Sequence, residues 1–114
     1  MNYMLLIYQN EAAMQEASET QINEMMGAYA AYTKAMRDSG AFVAGDRLRP
    51  SASATTVRMA NGAKKVLNGP YAETKEQLGG FYIIDVPDLD AALSWAARCP
   101  GAQRGALEVR PMFG

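Results

Sequence analysis

The side chains best suited to handle a small molecule crowd into one stretch, NGPYAETKEQLGG, residues 68–80. A carboxylate beside a lysine favours the charged form of both, and burial raises a Glu pKa toward values useful for proton transfer. Glu73 and Lys75 are therefore candidate catalytic groups, with Asp46, at the end of an earlier strand, as a third. Asn68 is suited to orienting a ligand, Tyr71 to stacking on it, and Thr74 to bonding it or capping a local turn. Tyr32 lies three residues after Tyr29 and shares its side of a helix. It sits nearer the edge of the apolar stripe, where its hydroxyl can enter a cleft. Each feature also has a plainer reading. Asn68-Gly69-Pro70 serves as turn chemistry, Glu73, Lys75 and Glu76 as a solvated charge run, and Asp46-Arg47 as an edge-strand charge pair.

The chain has no histidine, so no His–Asp, Cys–His or Ser–His–Asp arrangement can exist within it, and no His-ligated metal. Acid–base chemistry is left to carboxylates, Lys, Tyr or Cys. No carboxylate grouping has metal-ligand spacing and no phosphate-binding glycine loop occurs, so neither metal nor cofactor is expected. The single Cys99 cannot form an intrachain disulfide, which favours a reducing, cytoplasmic setting. It reads as a packed small hydrophobe, with a reactive thiol as the alternative. Eight methionines suit an adaptable core or a small-molecule pocket. The net charge is -1 and no basic cluster stands out, so nucleic acid is not an expected partner. The longest apolar run, Met4 to Tyr8, is too short to cross a bilayer, and the N-terminus lacks the pattern of a signal peptide.

These candidates need elements to position them. With 114 residues, 49% hydrophobic and 20% charged, a single soluble globular domain over 1–114 is expected. Tyr3–Tyr8 reads as a strand apolar on both faces. Ser18–Gln21, SETQ, is a capping box opening a helix. Ile22, Met25, Met26, Tyr29, Thr33 and Met36 follow at helical spacing, and Gly40 is placed to end it. Phe42–Leu48 is a second strand, followed by Arg49-Pro50 and a short SASA loop. Asn61-Gly62 between Thr55–Ala60 and Ala63–Leu67 signals a hairpin, with Val57 opposite Val66 and Met59 beside Lys64. Phe81–Val86 is another strand apolar on both faces. Pro87-Asp88 caps a helix with Leu89, Ala92, Leu93 and Ala96 inward and Trp95 at its flank. Leu107–Met112 closes the chain as a strand.

Without the hairpin, the order is the βαββαβ pattern of a ferredoxin-like α+β sandwich with an antiparallel sheet. That fold places the first and third strands centrally, and Tyr3–Tyr8 and Phe81–Val86 are the two with apolar residues on both faces. Two helices cover only one face. The uncovered face predicts a twofold homodimer with sheets packed face to face.

NGPYAETKEQLGG, continued into FYIIDVPDLDAALSWAARCP and framed by MNYMLLIY and LEVRP, closely resembles the DGPF-type branch of the YCII-related family across essentially the whole chain. The resemblance implies a ferredoxin-like fold dimerising into an α/β barrel. One branch of that family includes a dehydrochlorinase acting on chlorinated hydroxyquinols, and a His–Asp pair has been proposed as the family's catalytic machinery. This chain has Asn68 where the motif usually has Asp and Tyr71 where it usually has Phe; with no His the proposed pair is absent. The function expected is small-molecule binding in a cleft near Asn68–Lys75, with Tyr32 contributing. Two alternatives are a lyase or dehydrochlorinase-like enzyme on small aromatic compounds, and a regulatory or interaction module. The last follows from the sigma factors often encoded beside DGPF-type proteins.

Overall fold

The computed structural model describes residues 1–114. An unbroken aromatic and aliphatic run makes the first strand, β1 (Asn2–Gln9), and the strand period of two decides what it buries. Tyr3, Leu5 and Ile7 go into the core; Met4, Leu6 and Tyr8 are half-buried on the other face. A short helix, α1 (Glu11–Gln15), follows, with the Asn10 side chain accepting the Ala13 N–H at 3.1 Å. The sequence reading had no element here, because none of its residues is buried and no apolar period marks it. Helix α2 (Glu19–Asp38) opens on the expected capping box: Ser18 accepts from the Gln21 N–H, and Gln21 accepts from the Ser18 N–H. It ends before Gly40, whose φ of +81° is the left-handed geometry glycine supplies at no steric cost.

Next come β2 (Phe42–Arg47), a 3₁₀ turn at Ser51–Ser53, β3 (Thr55–Ala60) and β4 (Ala63–Asn68). The chain continues through β5 (Gln77–Asp85), α3 (Leu89–Arg98), a 3₁₀ turn at Pro100–Gln103 and β6 (Ala106–Pro111). The four-stranded antiparallel sheet has the order β2-β5-β1-β6. Its first and third βαββαβ strands are central, as expected of a ferredoxin-like fold. Leu5, Met36, Ile84 and Cys99 are its most completely buried side chains. Asp88 caps α3 by accepting the Ala91 N–H at 2.9 Å. The inner stripe of α3 differs from expectation: Ala92 and Ala96 are buried, while Leu89 and Leu93 are 48% and 46% exposed. Trp95 packs against the core instead, its ring edge-on to Tyr32.

On the face away from the helices, the β1–β5 register pairs Met4 with Ile83 and Leu6 with Phe81. The β3–β4 hairpin is a separate two-stranded sheet with the expected Val57–Val66 and Met59–Lys64 pairs. Its turn residues Asn61 and Gly62 have φ of 51° and 77°, as a type I′ turn requires. β5 begins earlier than Phe81, because its ladder with β1 continues through Tyr8–Leu78 to Gln9–Gln77, with Gly79 as the extra residue of a bulge. The polar connection therefore shrinks to residues 69–76.

Candidate functional site

A cleft of about 280 Å³ lies between α2, from Met25 to Arg37, and the β2 and β5 strands. Met25, Met26, Tyr29, Thr33 and Arg37 face it from α2; Phe42, Gly45 and Arg47 from β2; Gly79, Gly80 and Tyr82 from β5. Its floor is built of glycine for a steric reason. A Cβ on Gly45 would stand 2.6 Å from Tyr82 Cδ1, one on Gly80 2.9 Å from the Asp46 carbonyl oxygen, and one on Gly79 2.6 Å from Gln9 Nε2. The missing side chains let Tyr82, Gln9 and the Asp46 backbone pack closely against the strands at this floor.

Polar groups converge on it. Thr33 Oγ1 donates to the Tyr29 carbonyl at 2.9 Å and lies 2.8 Å from the Tyr82 hydroxyl. The single Thr33 proton being spent, Tyr82 must donate to Thr33, and its own oxygen is left able to accept. Burial raises the Tyr82 pKa above the ordinary phenol value. Burial also raises Tyr29, with the Cys99 thiol beside it adding to the rise. Cys99 is itself pushed up by burial, as a packed thiol should be. These groups stay neutral. The Arg37 guanidinium stacks 4.0 Å from the Phe42 ring centre, which leaves its N–H edges for hydrogen bonding.

Of the candidates from sequence, Asp46 alone borders this cleft. Its register partner is Phe81, which gives its side chain the parity of the open sheet face, and its Oδ1 accepts the Arg47 N–H at 2.9 Å. Tyr32 does not enter a cleft. It is 6% exposed and donates to the Trp95 carbonyl at 2.7 Å, because its place on α2 turns inward onto α3. Asn68 is an exposed strand residue opposite Thr55. Tyr71 is 72% exposed, with the Arg58 guanidinium 4.6 Å over its ring. Glu73, Thr74 and Lys75 are exposed too; Thr74 Oγ1 donates to the Glu76 carbonyl. Lys75 borders only a shallow polar depression with Asn10, Glu11, Gln15 and Gln77. These side chains therefore do not converge on one pocket.

What holds their loop is a set of bonds that sequence reasoning missed. The Glu11 carboxylate accepts the Ser51 N–H and hydroxyl, both at 2.7 Å. Gln77 Oε1 accepts the Glu11 N–H at 3.0 Å, and Gln77 Nε2 donates to the Thr74 carbonyl at 2.6 Å. Also missed were Thr33 and Arg37, which carry no signal apart from the helix, and Gly45, whose place inside a strand was one.

Residues 1–113 match the model of the YCII-related domain. The chain belongs to the YCII-related family. Among YCII-related proteins, an uncharacterised protein of Rhizobium meliloti (strain 1021) is 37% identical over 114 residues, covering 98% of this chain and 92% of its own. A solved structure of the same fold is 5-chloro-2-hydroxyhydroquinone dehydrochlorinase (TftG) from Burkholderia phenoliruptrix AC1100, in complex with 2,5-dihydroxybenzoquinone. It aligns with a TM-score of 0.57 at 16% identity, over 99% of this chain and 94% of that one. At such identity the likeness concerns the fold alone. No helix of this YCII-related chain is long and apolar enough to cross a membrane.

Proposed function

We propose that this protein binds a small, planar, oxygen-bearing acid in the cleft under α2. The observation that carries this reading is the Tyr82–Thr33 hydroxyl pair beside Arg37, over a floor of glycine and below methionine walls. The glycines bring the Tyr82 ring and the Gln9 side chain close against the sheet, so the floor stays low and a flat ligand is favoured over a bulky one. Methionine adapts to irregular shapes, and Arg37 and Arg47 outnumber the one carboxylate, Asp46, at the cleft. An acidic ligand matches that balance. The quinone in the dehydrochlorinase complex is a molecule of this kind. Binding is favoured over catalysis because the chain has no histidine and burial keeps the Tyr82 and Tyr29 phenols protonated. Neither phenol serves as a base at neutral pH.

Titration calorimetry with 2,5-dihydroxybenzoquinone and 2,5-dihydroxybenzoate, against uncharged hydroquinone, tests the reading. The two acids should bind, hydroquinone should bind more weakly, and Arg37→Ala should weaken the acids by about tenfold or more, the scale of a lost charge-assisted hydrogen bond. Tyr71→Ala/Lys75→Ala should leave binding unchanged. No heat from either acid, or loss of binding only in the Tyr71/Lys75 variant, would remove the cleft from consideration and return the site to the loop.

A further inference from the structure

The β3–β4 hairpin has no partner within the chain: its strands pair only with each other. On one of its faces Val57, Val66 and Met59 are 56%, 51% and 67% exposed. A lone two-stranded hairpin is marginal in water. The radius of gyration is 16.0 Å, against about 13 Å for a compact chain of this length. The hairpin is thus an arm standing away from a flat two-layer body only 19 Å deep.

Its charge is one-sided. Between Asp46 and Glu73 every charged side chain is basic: Arg47, Arg49, Arg58, Lys64 and Lys65. Before Lys34 every charged side chain is acidic: Glu11, Glu16, Glu19 and Glu24. Those acids lie on α1, α2 and the link between them, where Met26 is 54% exposed beside them and Glu16, Glu19 and Glu24 face solvent. One molecule therefore carries a basic arm with an apolar face, and an acidic helix edge with an exposed methionine. No extensive packing joins the two within the chain.

We propose that the arm of each protomer docks on the α1–α2 edge of a second copy of this chain, reciprocally, with Lys64, which shares the arm's apolar face, against Glu19, and the valines against Met26, seven residues on and on the same side of α2. Strands of six residues give the arm a reach of about 20 Å. That covers a partner sheet about 10 Å away and a helix layer about 10 Å beyond it. Met14 and Met26 also wall the cleft, so a docked arm lies at its mouth; that consequence alone rests on the ligand reading, and the docking does not.

Sedimentation equilibrium on the full chain at low salt tests it through a charge swap. Lys64→Glu and, separately, Glu19→Lys should each weaken the dimer by about tenfold or more, each change being felt twice in a reciprocal pair. An equimolar mixture of the two should recover wild-type affinity, because each arm then meets an opposite charge on the other chain. Val57→Ser/Val66→Ser should weaken it as well, through the apolar contact and without changing charge. A monomeric wild type, reversals without effect, or a mixture no tighter than its parents would overturn the proposal, the last result placing the contact within one chain. Failure of acid ligands to bind would leave the dimer measurements unchanged.

Discussion

The Tyr82 hydroxyl ends a short relay, donating to Thr33, which donates to the Tyr29 carbonyl. Thr33→Val removes the middle of it and leaves the buried Tyr82 phenol without its partner, while the Tyr29 carbonyl keeps its helical hydrogen bond. The expected cost is about 1 kcal/mol of stability, with weaker acid binding because Tyr82 is no longer aimed; urea unfolding and calorimetry read the two effects separately. Tyr29, Tyr32, Tyr82 and Cys99 make a second residue-scale prediction. All four have pKa values raised, chiefly by burial. The unfolded chain therefore releases their protons first, near pH 8.5 for the thiol and about 10 for the phenols. Stability is fully present below those values and falls as pH rises toward the folded ones, by up to about 1.4 kcal/mol per pH unit for each group. Tyr32→Phe should flatten the decline in urea stability between pH 9 and 11 by about one group's share; an unchanged slope would sink the assignment. At this scale the sequence shows what is contiguous and hides what the fold brings together. Asn68–Lys75 is conspicuous because its polar residues are contiguous, whereas Thr33, Arg37, Gly45 and Tyr82 lie on separate elements and meet only through the fold.

Elements were more legible, because caps and turns are local chemistry. Ser18–Gln21, Asp88 and Asn61-Gly62 each act where the sequence places them. What escaped was set by pairing: the early start of β5 depends on a ladder with β1, and α1 is held by Asn10 and by Glu11 bonding to Ser51 and Gln77. Two glycines separate local propensity from tertiary contact. Gly27 lies inside α2 with nothing within 4 Å of an added Cβ. Gly27→Ala should stabilise by about 0.5–1 kcal/mol, the usual helical cost of glycine. A Cβ on Gly105 would stand 2.0 Å from the Tyr8 carbonyl oxygen, where β6 meets β1. Backbone cannot yield as a side chain can, so Gly105→Ala should cost about 3 kcal/mol. Thermal melts of the two variants should therefore move in opposite directions. A common direction would contradict the contact geometry.

The molecule as a whole has two apolar surfaces that one chain does not cover, the arm and the sheet face carrying Met4, Leu6, Phe81 and Ile83. The second was visible in the sequence, since only central strands of a two-layer fold need apolar residues on both faces. The arm's charge was not, because a net charge of -1 hides an acidic first third and a basic middle that cancel. A dimer with the open faces opposed would bury both sheets' apolar residues at once. Leu6→Lys isolates that contact. Leu6 lies opposite Glu108 on β6, which already pairs with Arg110, but this face is open to water in the monomer, so the cation is solvated there and the monomer keeps its fold, which far-ultraviolet circular dichroism would verify. In the pair, two such charges would be trapped between the sheets, and the dissociation constant should rise on the order of a hundredfold or more. Mixing Leu6→Lys with wild type should not restore affinity, because a charge buried against an apolar face gains nothing from the other chain. That separates the sheet contact from the arm, where mixing complementary variants should recover it. Undiminished dimerisation of Leu6→Lys would mean that the sheets do not meet, and that the arms alone join the copies.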